Sequence, residues 1–336
     1  MAGVEFYDGV LCAGFVNAHS HLELAYLRGA IEEGGGLGAF AEGIGRVRGA
    51  FSEEEQHRAM VVADHEMWEE GVDAVADIVN GATSFSVKAE SKIYYHNFAE
   101  VFGLRECNIE RQRKLLTYPT TSLTPHSTYS VADAPFREVC GEGSAPLSIH
   151  FLESPDEARL YEGCGALHEW YERVGFKCDF LHYGTPAKRV AEATPSDRAV
   201  LLVHNCALSS HDIDILTRHF TTPPSWALCP RSNAYISGVV PESVALLRAR
   251  ELNICIGTDS LASNHSLSMV EEMKMFGDVP LEEVLQWATI HGAKALGIAD
   301  RFGSVEVGKR SGIVNIKGVD LATMRLTPEA YARRIV

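Results

Sequence analysis

His19 and His21 stand two apart in "GFVNAHSH", directly behind a short apolar run. If Phe15 to Ala18 opens a strand, period-2 alternation turns both imidazoles to one side, where a single ion can be shared. Two ligands do not make a site, and in a chain with 14 His among 336 residues the spacing alone decides nothing. Partners must come from elsewhere, and the sequence offers His126 in "TPHST", His150 and Glu153 in "SIHFLES", His204 in "LVHN" and Asp259 in "GTDS". Singly, each has a plain explanation: a strand-end His is commonly a hydrogen-bonded or surface residue, and Asp259 can cap a helix. Together, imidazoles and a carboxylate are the donors of a zinc or iron(II) centre, provided that one fold brings them to one mouth.

The elements that would do so are visible. Short β-rich apolar runs alternate with longer helical patterns, which argues for a parallel sheet of βα units. The runs are "GFVNA", "VDAVADIV", "KIYYHNFAEVFG", "TTSLTPH", "LSIHF", "AVLLVHN", "SWALCP" and "NICIGTD". Eight is the number that closes an α/β (β/α)8 TIM-like barrel, whose active sites lie at the C-terminal strand ends, where these ionisable residues fall. "SEEEQHRAMVVADHEMWEEG" predicts a helix opened by Ser52 and Glu55 in capping-box spacing, with Ala59, Val62, Ala63 and Met67 on one face. "DEARLYEGCGALHEWYERVG" predicts another, weakened by Gly163 and Gly165, and "PLEEVLQWATIHGAKALG" a third. The barrel is expected over residues 14–302, with short strands in 1–13 and 303–336 outside it.

Composition narrows the partner. The formal charge of -15 is the wrong sign for neutralising nucleic-acid phosphates, so a small molecule is the expected partner. The eight cysteines are scattered without a Cys-x-x-Cys and read as reduced thiols of a cytoplasmic protein. No secretory segment opens the chain and no apolar stretch nears the ~20 residues needed to cross a bilayer.

Taken in order, "GFVNAHSH", "LTPHSTYS", "IHFLES", "VHN", "CPRSN", "GTDSLASN" and "EEM" resemble the amidohydrolase superfamily, in its branch of cyclic-amidine and nucleobase deaminases and chlorohydrolases. The resemblance implies that His19, His21, His150 and Asp259 hold one divalent ion, zinc or alternatively iron(II). It also implies that Glu153 moves protons and that His204 sits beside the water bound to that ion. Such an ion lowers the pKa of its water, and the hydroxide attacks an electron-poor ring carbon bearing an amino group. Glu153 would protonate the adjacent ring nitrogen, while Asp259 and His204 pass the water proton toward departing ammonia. Family members carry further N-terminal strands that complete a small β-sandwich with those after the last helix. Here about a dozen residues precede Gly14, so the sandwich of 1–13 and 303–336 is expected to be incomplete or to lack an N-terminal piece. Ala13 replaces the usual proline. Binuclear relatives bridge two metals with a lysine at the end of strand four; this chain has His126 there, which points to one metal.

"HLEL" and "HFLESPDEARL" further resemble the aminodeoxyfutalosine deaminases of the futalosine route to menaquinone, implying 6-aminodeoxyfutalosine as the nucleoside substrate. Its carboxylate would favour a cation near the mouth, with Arg28, Arg46, Arg48 and Arg231 as candidates against plain surface roles. His126 is the stronger substrate contact, Glu23 either binds substrate or starts a helix, and Asn233 and His182 shape the site from loops. Alternatives are a deaminase of guanine, adenosine or S-adenosylhomocysteine, a hydrolytic dechlorinase, and a metal-binding scaffold without turnover. A homodimer is an open option.

Overall fold

Short apolar runs bounded by turn residues are too brief to bury themselves as helices and pair as strands instead. In the computed structural model, which describes residues 5–336, β1 (Val10–Ala13) precedes eight strands with helices between them. These are β2 (Phe15–Ser20), β3 (Val72–Val79), β4 (Tyr94–Val101), β5 (Thr121–Pro125), β6 (Leu147–Phe151), β7 (Val200–His204), β8 (Ser225–Leu228) and β9 (Ile254–Ile256). Each overlaps one of the eight expected runs. β2 to β5 form one parallel sheet in sequential order and β6 to β9 another. Every residue of β2, β3, β6 and β7 is buried, as expected of parallel strands covered on both faces.

The two sheets are stitched together beside the residues that could do chemistry. Between β5 and β6, His150 N donates to His126 O at 2.8 Å, and Ser148 N donates to the Thr124 hydroxyl at 2.9 Å. Between β9 and β2, Thr258 N and Asp259 N both donate to His19 O at 3.0 Å, while Asn17 Nδ2 donates to Thr258 Oγ1 at 2.7 Å.

The helices follow their local signals, with two corrections. The helix Glu53–Glu69 opens on the expected Ser52/Glu55 capping box, but its buried stripe is Met60, Ala63 and Met67, and Val62 is 51% exposed. Positions 60, 63 and 67 share the face turned to the core, and Val62 points away from it. The helix expected over 156–175 is two helices, Pro155–Tyr161 and Ala166–Val174. Gly163 and Gly165 between them take φ of +73° and +90°, which no right-handed helix can continue.

Outside the parallel strands, β10 (Ile313–Asp320) pairs antiparallel with both β1 and β11 (Arg325–Arg334). The chain ends thus build a single three-stranded sheet in the order β1-β10-β11. It is tied to β3 by Arg334, whose Nη2 meets Asp73 Oδ1 at 2.9 Å.

Candidate active site

The strand ends bring the expected residues to one place. His19 closes β2 fully buried and His21 follows just beyond it, their rings edge to face with centroids 4.8 Å apart. His150 on β6 lies 4.7 Å from His19 by the same measure, and His204 at the end of β7 lies 5.2 Å from His150. One ligand atom from each of His19, His21 and His150 fits within a mutual 4.8 Å. Asp259, which follows β9, places Oδ1 at 3.4 Å from His21 Nε2 and 3.8 Å from His19 Nε2.

This set fits a divalent ion. His19 Nε2 and His21 Nε2 face each other at 3.1 Å, an approach at which two lone pairs repel unless a proton or a cation lies between them. His150 Nδ1 donates to the carbonyl of His126 at 2.9 Å, which fixes the tautomer and leaves its Nε2 lone pair free to bind. Burial, followed by the neighbouring imidazoles, holds His19 far below the ordinary histidine range. Burial and the His126 ring do the same for His150. Both are therefore neutral, the form a metal needs. Burial pushes Asp259 up, but His21, His204 and the Ser232 hydroxyl outweigh it and leave the carboxyl below the usual carboxylate range. Ser232 Oγ donates to Asp259 Oδ2 at 2.5 Å, and Ser263 Oγ does so at 3.1 Å.

The carboxyl that sequence resemblance assigns to proton transfer stands at the rim of that cluster. Glu153 is buried, with Oε1 at 3.7 Å from His204 Nε2. Its Oε2 accepts from the Tyr129 hydroxyl at 2.8 Å. Burial raises its pKa, against smaller lowering by His204 and Tyr129. Behind it, Glu157 accepts from Glu153 N at 3.0 Å and also from the Thr128 hydroxyl. The Asn233 amide meets His204 Nδ1 at 3.0 Å, which holds the ring so that Nε2 faces the cluster. His204, Asn205 and Asp259 adopt φ of +80°, +60° and +57°. Left-handed backbone in such residues is uncommon and gathers at functional sites, where packing holds it. Here Asn205 Nδ2 pins its turn by donating to Leu202 O and Ala227 O at 2.9 and 3.0 Å.

The expected substrate contacts divide. His126 stacks on His150 with centroids 4.5 Å apart and bonds Ser130 Oγ through Nδ1 at 2.6 Å, placing it beside the cluster. Burial pushes its pKa down to about 3. Glu23 lies in the 3-10 turn Leu22–Leu27 and accepts from Asn80 N at 2.8 Å and Ser84 Oγ at 3.3 Å. Arg28 is exposed and paired with Glu66 Oε2 at 2.5 Å, whereas Arg231 is spent on Asn264 Oδ1 and Glu271 Oε2. Arg46 and Arg48 end exposed at the last turn of the helix Gly36–Val47 and just after it. His182 is exposed and bonds Asp179 O.

Four residues of the site escaped sequence reasoning. Tyr129 lies inside the quoted "LTPHSTYS", but nothing local shows that its hydroxyl reaches Glu153. Lys88, nearly buried, pairs with Asp77 Oδ2 at 2.5 Å, and Asp77 Oδ1 accepts from Leu22 N at 2.8 Å, pinning the turn after His21. Glu100, the penultimate residue of β4, is 4% exposed and lies near His126 and His150. A charged residue within the last two positions of a strand was the signal that could have found it.

Gly257 shows how tightly the ligands are held. A Cβ there would come within 2.7 Å of His19 Cβ and 2.9 Å of His19 N. We expect Gly257→Ala to cost about 1–3 kcal/mol of stability through overpacking, and to weaken metal binding more than any remote Gly→Ala control. Thermal melts with and without added zinc check both; an unchanged zinc-dependent shift would count against the close packing of β9 on His19.

Comparison with known proteins agrees with this geometry. The chain is 26% identical over 376 aligned residues to a 5-methylthioadenosine/S-adenosylhomocysteine deaminase of Halalkalibacterium halodurans, covering 98% of this chain and 77% of the relative. The structure matches that of Helicobacter pylori aminofutalosine deaminase in complex with methylthio-coformycin with a TM-score of 0.79 at 25% identity, over 92% of this chain and 80% of the other. It matches an adenosine deaminase from Xanthomonas campestris with bound zinc at a TM-score of 0.74 and 25% identity, over 94% and 74%. The amidohydrolase family model matches residues 10–330, and the chain belongs to the amidohydrolase family, as a hydrolase of C–N bonds.

Proposed function

We propose that the chain is a hydrolytic deaminase of an adenine nucleoside that works with one divalent ion, zinc or iron(II), and that its substrate is 6-aminodeoxyfutalosine. One observation carries the reaction: Glu153, buried at the rim of the His19/His21/His150/Asp259 cluster, keeps Oε1 open toward His204 while Tyr129 holds Oε2. In this reading the two sheets work as one (β/α)8 barrel over residues 14–302, and the chain ends append a small sheet.

A divalent ion bound to His19, His21, His150 and Asp259 supplies the Lewis acidity that makes water a nucleophile near neutral pH. The residues do the rest. Glu153 gives a proton from its carboxyl to the ring nitrogen beside the amino-bearing carbon, which makes that carbon electrophilic. Water adds there: Asp259 accepts one of its protons and returns it to the amino nitrogen, Glu153 takes back the other as the added oxygen becomes the ring carbonyl, and the C–N bond breaks to release ammonia. His204, whose Nε2 faces the cluster, assists Asp259 in passing the water proton toward the departing ammonia. The raised pKa of Glu153 suits a group that must be acid in one step and base in the next.

Substrate identity rests on similarity to the H. pylori aminofutalosine deaminase and on the "HFLESPDEARL" run. For the substrate carboxylate, Arg28 would have to exchange Glu66 for it. A second reading, deamination of 5-methylthioadenosine or S-adenosylhomocysteine, is favoured by the relative in H. halodurans. A cytoplasmic place in menaquinone biosynthesis, without nucleic acid or membrane partners, follows from the first reading and the net charge of -15. All eight cysteines are free thiols, and among the described residues no helix is long and apolar enough to cross a membrane.

Ammonia release by zinc-loaded protein, measured over aminodeoxyfutalosine, 5-methylthioadenosine, S-adenosylhomocysteine, adenosine, guanine and a chlorotriazine, tests the reading. We expect kcat/KM of at least about 10⁴ M⁻¹s⁻¹ for aminodeoxyfutalosine. Efficient turnover of an S-adenosyl nucleoside with none of aminodeoxyfutalosine would transfer the assignment to the second reading. Chloride release without ammonia would discard deamination, and zinc binding without any turnover would leave only a scaffold.

A further inference from the structure

Glu100 has no role in the chemistry above, yet it is a 4% exposed carboxylate at the mouth end of β4. Its Oε2 accepts from Asn80 Nδ2 at 3.0 Å. Its Oε1 is buried and has no hydrogen-bond partner. That oxygen faces His150 Nδ1 at 3.7 Å and His126 Nε2 at 3.9 Å, two imidazoles that burial keeps uncharged. Both distances are too long for hydrogen bonds. The nearly buried Lys88 of the adjacent helix is committed to Asp77 and to Asn97 Oδ1. A buried carboxylate oxygen without partner or counter-charge is costly and calls for a compensating cation.

The divalent site supplies one. Three imidazoles and a single carboxylate leave a bound ion with an uncompensated positive charge, and Glu100 is the next carboxylate beyond His150. A direct ligand role fits poorly, because His150 Nδ1 is already donated to His126 O at 2.9 Å, and a second ion would then have only Glu100 and His126. We propose that Glu100 is an outer carboxylate of the metal centre, a positioning residue that sets affinity for the ion through His150 and His126 without coordinating it. This rests on the metal-binding reading under Proposed function. Outer partners of metal-bound histidines commonly change affinity by about 10- to 100-fold.

The test is zinc titration of the metal-stripped full chain against a chromophoric chelator, for the parent and for Glu100→Gln, with thermal melts of both metal-free forms. Expected is one ion per chain in each, affinity weakened about 10- to 100-fold in the variant, and a metal-free melting temperature that does not fall, since the amide removes an uncompensated charge while keeping shape. Glu100→Asp, which keeps the charge, should hold affinity closer to the parent. Unchanged affinity in Glu100→Gln would overturn the proposal, as would two ions in the parent and one in the variant, which would make Glu100 a ligand. A lower melting temperature of the metal-free variant with affinity intact would reduce it to a structural residue. If the parent binds no zinc, the metal reading itself fails and Glu100 loses this role with it.

Discussion

Glu153→Gln is expected to keep its metal ion and its affinity for substrate while losing turnover by about 10²- to 10⁴-fold, the range typical of a general acid-base group. The substitution preserves volume and a hydrogen-bonding end, so the contacts from Tyr129 to Oε2 and across to His204 can persist in altered form. What it removes is a carboxyl that can give and take a proton in turn. Measuring kcat and KM separately, with metal content by elemental analysis, distinguishes the outcomes. Near-normal kcat would mean that Asp259 or His204 carries the protonation. Loss of the ion would make Glu153 a ligand and reverse its division of labour with His150.

His19→Ala and Asp259→Ala should each strip the ion and abolish measurable turnover. His19 is fully buried, with its Nε2 at 3.1 Å from that of His21, so its removal opens a hole in the cluster rather than a replaceable rim position. Among the described residues Asp259 is the carboxylate paired with both His19 and His21, held by Ser232 and Ser263, and without it the proposed set of four loses its charged member. Elemental analysis of the purified parent should give about one divalent ion per chain, as a set of three imidazoles and one carboxylate with an open position requires. Two ions per chain in the parent, or undiminished binding in both variants, would overturn the mononuclear assignment.

The sequence alone determined the donors and the elements that carry them. Five of the eight apolar runs end in His19, His21, His126, His150, His204 and Asp259, and strand periodicity together with the rule that parallel strands present function at their C-terminal ends sufficed to put them at one mouth. The capping box at Ser52 was equally legible, because it depends on residues three apart. Where local signals conflicted, sequence reading lost precision: Gly163 and Gly165 broke a helix that periodicity alone would have continued, and Val62 lay outside a stripe that only packing against the core selects. Tertiary structure decided whatever depends on distance between strands far apart in the chain. His19 O bonds the amides of Thr258 and Asp259 across about 240 residues, Tyr129 finds Glu153, and Glu100 comes to face two imidazoles. The same holds for the left-handed backbone at His204 and Asp259, a conformation uncommon outside glycine that the surrounding contacts hold in place. Periodicity states which face a side chain takes; how close two faces come is set by register between strands and by packing of the whole, and neither is written in any one segment.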